Sequence, residues 1–201
     1  MHATGQVAHF DTRSDRDDKG WLLGVNSCLP EDIAVTWVQT VDEAFHARFS
    51  ATSRSYRYLI LNRPVRSALD RHRAWWVHRP LDVTRMNDAA RVLLGKHDFS
   101  AFRAAGCQAS TPNREITSIA VTREGDYLSL GVSANAFLQH MVRNITGSLA
   151  AVGLGDEATE WVASVLEGRN RKSAGIAAPA HGLTLTQVEY PKEFGLVNIR
   201  P

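Results

Sequence analysis

The sequence predicts an α+β fold, in which antiparallel strands and packed helices outweigh a doubly wound sheet. Three observations carry this: two apolar runs joined by a short Gly-containing turn, separate helical stripes of apolar residues, and a last strand that closes the pattern.

In chain order, Gly5 to Phe10 alternates like a short strand. The charged stretch Asp11 to Gly20 then leads into Trp21, Leu22, Val25 and Leu29, a helical stripe ended by Pro30. Ile33 to Val41 and Tyr56 to Leu61 read as strands, because β-branched or aromatic residues stand there between polar clusters. Thr84 is placed to cap a helix whose positions Met86, Ala89, Ala90, Leu93 and Leu94 keep the helical period, closed by Gly95 and Lys96. Ile116 to Val121 and Tyr127 to Val132 suit a hairpin across Arg-Glu-Gly-Asp. Phe137 to Val152 carries Phe137, Leu138, Met141, Val142, Ile145 and Leu149 on one helical face. A helix from Asp156 to Leu166 and a strand from Leu183 to Tyr190 complete the pattern.

The chain has 201 residues, enough for one or two domains, with no repeat, low-complexity tract or linker to mark an internal boundary. With 44% hydrophobic and 22% charged residues it is an ordinary globular composition, which excludes collagen-like and wholly disordered chains. No stretch approaches a membrane span and the N-terminus has no signal-peptide pattern, so the expectation is a cytosolic protein. Cys28 and Cys107 form no C-x-x-C pair and are expected as free thiols.

Charge is unevenly spread. Residues 1–47 hold 3 basic and 8 acidic residues, residues 92–201 hold 10 of each, and residues 48–91 hold 10 arginines against Asp70, Asp82 and Asp88. That basic island is all Arg, whose planar fork grips phosphate and whose face stacks on bases, so RNA becomes a credible partner; a solvated surface face is the plainer explanation. Arg200, in the tail, stands outside the island.

Walker, G-x-G-x-x-G, H-E-x-x-H and G-x-S-x-G motifs are absent. The eight histidines lack ligand spacing, so no metal site is expected. Cys107 would serve as a nucleophile only with a His beside it in the fold.

Three clusters stand out. Phe49 to Tyr58 puts Tyr56 and Tyr58 on one strand face and Arg57 on the other, with Arg54 close by, so that an aromatic wall for a base or a core aromatic pair both fit. Phe99 to Arg103 and Thr111 to Arg114 form a polar loop able to touch phosphates through Arg103 and Arg114, or merely to connect two elements. Asn135 to Asn144 contains Arg143 in an otherwise apolar helix face, where an unpaired cation is costly and an anionic partner is required. That partner is a structural carboxylate, a phosphate or a catalytic carboxylate kept ionised by Arg143.

Taken in order, H-A-T-G-Q-V-A-H-F, A-R-F-S-A-T-S-R-S-Y-R-Y, D-F-S-A-F, N-A-F-L-Q-H-M-V-R-N-I-x-G and G-L-x-L-x-x-V-x-Y-P resemble the tRNA pseudouridine synthase A family from His2 to Pro191. The resemblance implies a mixed α/β pseudouridine synthase fold, with an antiparallel sheet flanked by helices, and a cofactor-free homodimer. It implies isomerisation of uridine in the anticodon stem and loop of tRNA. Tyr56 matches the family's active-site tyrosine, which packs against the target base and is thought to help remove a proton from the isomerised ring. Arg143 matches the arginine that pairs with the catalytic Asp.

The match departs at one place. The family signature is G-R-T-D-x-G-V-H-A; only His2 and Ala3 of it are present, with Met1 at the Val, so the nucleophilic Asp is missing. The expectation is therefore a catalytic domain over 1–201 that is incomplete at the N-terminus, lacks the first strand and helix, and is inactive by itself. The rival expectations are a non-catalytic RNA-binding remnant or a fragment from a mis-assigned start.

Overall fold

The computed structural model describes residues 1–196; Arg200 lies outside the described residues. Two compact units emerge, one of Met1–Gln6 with Thr52–Glu189 and one of Val7–Ala51 with residues 190–196.

The first unit is a seven-stranded sheet with three helices. Its strands are β1 (His2–Ala3), β2 (Ser53–Asn62), β3 (Trp75–Val77), β4 (Gly95–Asp98), β5 (Asn113–Glu124), β6 (Tyr127–Ala134) and β7 (Leu183–Glu189). Their order is β1-β7-β2-β6-β5-β4, with β3 paired to the end of β2. Pairing is antiparallel except for β1 on β7 and β3 on β2. The hairpin between β5 and β6 turns tightly at Gly125, whose φ of +55° suits a residue without Cβ. Alternation does the rest: Tyr58, Ile60, Leu128, Leu130, Val132, Ile116 and Val121 point to the side where the helices pack, and all are buried. Onto that side pack α2 (Val83–Ala90), α3 (Met141–Gly153) and α4 (Trp161–Gly168), through Met86, Ile145, Leu149, Val162 and Val165.

The second unit contains α1 (Asp18–Cys28), capped by Asp17, which accepts from the Gly20 N–H at 2.7 Å. No residue of α1 is buried. Phe45, by contrast, is buried and gathers His9, Tyr190 and Phe194 around it.

Several expected boundaries moved. Residues 5–10 form no strand; the paired residues are His2 and Ala3, beside Thr184 and Leu185. Residues 33–41 also form no strand, and Val35 instead exchanges two backbone hydrogen bonds with the Asn26 side chain, at 2.8 Å each. An apolar, β-branched run becomes a strand only when a neighbour accepts it. The cap of α2 is Asp82 rather than Thr84, Leu94 is exposed, and Gly95 and Lys96 open β4. The helix expected from Phe137 begins at Met141, because His140 is left-handed at φ 62°. The one expected from Asp156 begins at Trp161. The strands β3 and β4 were not anticipated.

Candidate active site

The site grows from the middle of β2. Tyr56 sits opposite Val132 of β6 and Leu185 of β7, and Leu185 in turn faces Ala3 of β1, so one row across the sheet joins Ala3, Leu185, Tyr56 and Val132. The register of β2 against β7 shifts between Ser55 and Tyr56, a local irregularity of the kind that re-aims a side chain. The Tyr56 ring is half-buried and meets Phe137 edge to face. Burial pushes its hydroxyl above the ordinary tyrosine value, while the Arg54 charge pulls it back down.

Two residues along, Tyr58 is fully buried and donates its hydroxyl to the Pro179 carbonyl at 2.7 Å. Burial raises its pKa strongly, and the Arg143 charge opposes that rise. Arg143, in the first turn of α3, donates Nε–H to the Ala178 carbonyl at 2.6 Å. Among the described residues no carboxylate forms an ion pair with it. A half-buried guanidinium with its Nε–H fixed on a carbonyl and no acidic partner can take an anion at its two terminal nitrogens.

The other candidate arginines divide by what they touch. Arg57 is exposed, on the face of β2 away from Tyr56, and its side chain has no hydrogen-bond partner among the described residues. Arg54 donates to the Asn135 carbonyl at 3.0 Å. Arg103 holds its own loop, reaching the Cys107 and Ala109 carbonyls at 2.6 and 2.9 Å. Arg114 does the same with Thr111 and Asn113, and its Nε is buried without a partner. Burial lowers the Arg114 pKa, with Cys107 opposing the shift and Arg103 adding to it.

Cys107 itself is not matched to a histidine. Burial would push its thiol up, but the Gln139 and Ala109 N–H groups and the Arg103 guanidinium outweigh that and hold it below its usual value. The expectation of free thiols holds for Cys28 and Cys107.

The alternation of β2 puts Tyr56 and Tyr58 on one face and Arg57 on the other, as expected from the residues. The anionic partner expected for Arg143 is not found among the described residues, where its Nε–H meets the Ala178 backbone carbonyl instead. Nothing in the sequence foretold that Ala178 and Pro179 would supply the backbone carbonyls that fix Arg143 and Tyr58. Those carbonyls carry no side-chain signal, so no residue pattern could have marked them. Among the described residues no three His, Cys, Asp or Glu side chains gather to hold a metal, and no helix is long and apolar enough to cross a membrane.

Comparison with known proteins bears directly on this arrangement. A family model described as tRNA pseudouridine synthase matches residues 89–191. The chain is 52% identical over 199 residues to tRNA pseudouridine synthase A of Hydrogenovibrio crunogenus, covering 99% of this chain and 76% of that protein. It is 54% identical over 196 residues to the protein of the same name from Aeromonas hydrophila, covering 98% and 73%. With the namesake from Pseudoalteromonas atlantica it shares 50% identity over 200 residues, covering 100% and 76%.

Proposed function

The chain belongs to the tRNA pseudouridine synthase A family, whose reaction is the isomerisation of uridine to pseudouridine in tRNA, and we propose that Tyr56 and Arg143 are its site residues for that reaction. The reaction breaks the bond from ribose C1′ to N1 of the base and makes one from C1′ to C5, after which the C5 proton must leave. It requires a carboxylate, a cation that keeps the carboxylate ionised, and an aromatic wall for a base taken out of its stack.

Arg143 supplies the cation. The observation that carries this reading is its Nε–H locked on the Ala178 carbonyl at 2.6 Å, with no acidic partner among the described residues. The family motif G-R-T-D-x-G-V-H-A, of which His2 and Ala3 are the end, supplies the carboxylate that would complete the pair. Tyr56, in register with Ala3 through Leu185, supplies the wall and a hydroxyl positioned for the C5 proton.

The substrate region is the anticodon stem and loop, held by its phosphates. Arg57 contributes most directly, since its guanidinium is exposed and its side chain uncommitted; Arg54 lies on the Tyr56 face of β2, and Arg103 and Arg114 contribute by holding the shape of their loop. Residues 1–201 are read as one catalytic domain that still needs the motif carboxylate, working as a cytoplasmic homodimer without a cofactor. The test is turnover of unmodified tRNA by Arg143→Lys, in a polypeptide carrying the complete motif. A rate equal to wild type would remove Arg143 from the site.

A further inference from the structure

The segment joining α4 to β7 crosses α3 as a strap, and its fixings converge on Arg143. Arg171 begins it, donating to the Gly175 carbonyl at 3.0 Å and to Oδ1 of the buried Asn144 at 3.0 Å, while Asn144 Nδ2 donates to the Phe102 carbonyl at 2.7 Å. The Gly175 N–H donates to Ser148 Oγ at 3.0 Å. At Gly147 the strap lies so close that a Cβ there would strike the Ile176 carbonyl. The next residues reach the site: the Ala178 N–H donates to the Arg143 carbonyl at 3.1 Å, and Arg143 Nε–H donates back to the Ala178 carbonyl.

Immediately after, the Pro179 carbonyl accepts the Tyr58 hydroxyl at 2.7 Å. Tyr58 has no solvent exposure, and Gly182 leaves its ring just enough room, since a Cβ there would stand 2.7 Å from Tyr58 Cε1. Two successive carbonyls are thus held by two side chains from different elements, Arg143 of α3 and Tyr58 of β2. The Pro179 ring fixes φ between them, here −55°, so a displacement of the chain at Pro179 is passed on to the carbonyl that orients the guanidinium.

We propose that Tyr58 is a positioning residue for Arg143: by anchoring the Pro179 carbonyl, its hydroxyl fixes the adjoining Ala178 carbonyl and so sets the direction in which the Arg143 guanidinium presents its terminal nitrogens. The proposal rests on the reading of Arg143 as a site residue. It gives the second tyrosine of S-Y-R-Y a task distinct from that of the first. Residues that orient a charged group by locking its support are what a preorganised site needs, because a cation that swings loses its hold on a carboxylate.

The test follows the Arg143 Nε–H signal by NMR in the 201-residue chain, without RNA, and measures its hydrogen exchange. In wild type this proton should be protected, because it is held on the Ala178 carbonyl at 2.6 Å. Tyr58→Phe keeps the ring and deletes only the hydroxyl, and the expected result is Nε–H exchange faster by at least about tenfold. Tyr127→Phe is the control: it deletes a hydroxyl that donates to Asp70 at 2.7 Å at the far end of β6, and should leave Arg143 exchange unchanged. Unchanged exchange in Tyr58→Phe, or equal acceleration in both variants, overturns the proposal. Should Tyr58→Phe not fold, wild type decides: the Tyr58 hydroxyl, the Ala178 N–H and the Arg143 Nε–H must show protection factors within about threefold of one another, as parts of a single opening. Divergent protection overturns it. Because no RNA is present, this outcome is separate from whether Arg143 takes part in turnover, which Arg143→Lys addresses by itself.

Discussion

The rings of Tyr56 and Phe137 meet at 86°, with centroids 5.0 Å apart, so that Phe137 fixes the edge of a tyrosine whose remaining surface is half open. That geometry separates packing from chemistry. Tyr56→Phe keeps the edge-to-face contact and should change stability by less than about 1 kcal/mol. In a polypeptide with the complete motif, single-turnover rate should fall by about 100-fold, the usual worth of a positioned proton-transfer group. Melting temperature and single-turnover rate on the same protein check both; an unchanged rate would leave Tyr56 only a stacking role.

Tyr56→Ala, by contrast, removes the wall itself. A half-buried ring should cost about 2 kcal/mol, below the 3–5 kcal/mol or so of a fully buried aromatic. Urea unfolding gives the number, and RNA affinity should weaken along with it.

Arg143→Lys keeps the charge but cannot maintain Nε–H on the Ala178 carbonyl while offering two parallel donors to a carboxylate. Losing one hydrogen bond of a charged group should lower turnover at least about tenfold, equivalent to about 1.4 kcal/mol. KM for tRNA should hardly move, since the contact matters to the reacting carboxylate rather than to the RNA backbone.

Binding to RNA should fall steeply with salt, as phosphate contacts do. Arg57→Ala should reduce the slope of log affinity against log salt by about 1 and weaken different sequences alike. Arg103→Ala should instead lower stability, because that guanidinium is committed to the Cys107 and Ala109 carbonyls. Filter binding across a salt series distinguishes the two.

Much of this was legible in the residues. Alternation in β2 put Tyr56 and Tyr58 on one face, the Gly-containing turn gave the β5–β6 hairpin, and the apolar stripe from Met141 onward gave α3. The illegible parts were those decided by partners far along the chain. Residues 33–41 have strand composition but pair with no strand among the described residues, β3 is three residues whose pairing with Ile60 to Asn62 is entirely tertiary, and His140 takes a left-handed conformation that delays to Met141 the helix expected from Phe137. In the site, side chains announced themselves and the backbone carbonyls of Ala178 and Pro179 did not.

Away from the site, Asp70 accepts hydrogen bonds from Tyr127 at 2.7 Å and from Ser67 at 2.9 Å, which hold its carboxyl below the ordinary value. A carboxylate depressed in the folded state stabilises above its unfolded pKa of about 4, and that stability is lost as pH falls through the lower folded value. Tyr127→Phe removes the larger of the two causes. Its stability should therefore decline less than that of wild type as pH falls below about 4, as urea unfolding in an acid series would show.

The most direct measurement of the central claim, that Arg143 and Tyr56 form a pseudouridine synthase site completed by the motif carboxylate, is a map of pseudouridine in unmodified tRNA after incubation with three polypeptides. They are the 201-residue chain, the same chain extended through the whole G-R-T-D-x-G-V-H-A motif of its relatives and the segment that precedes it, and that extended form with the motif Asp changed to Asn. The account predicts product in the anticodon arm from the second alone. Product from the 201-residue chain, or from the form with Asn, would contradict it.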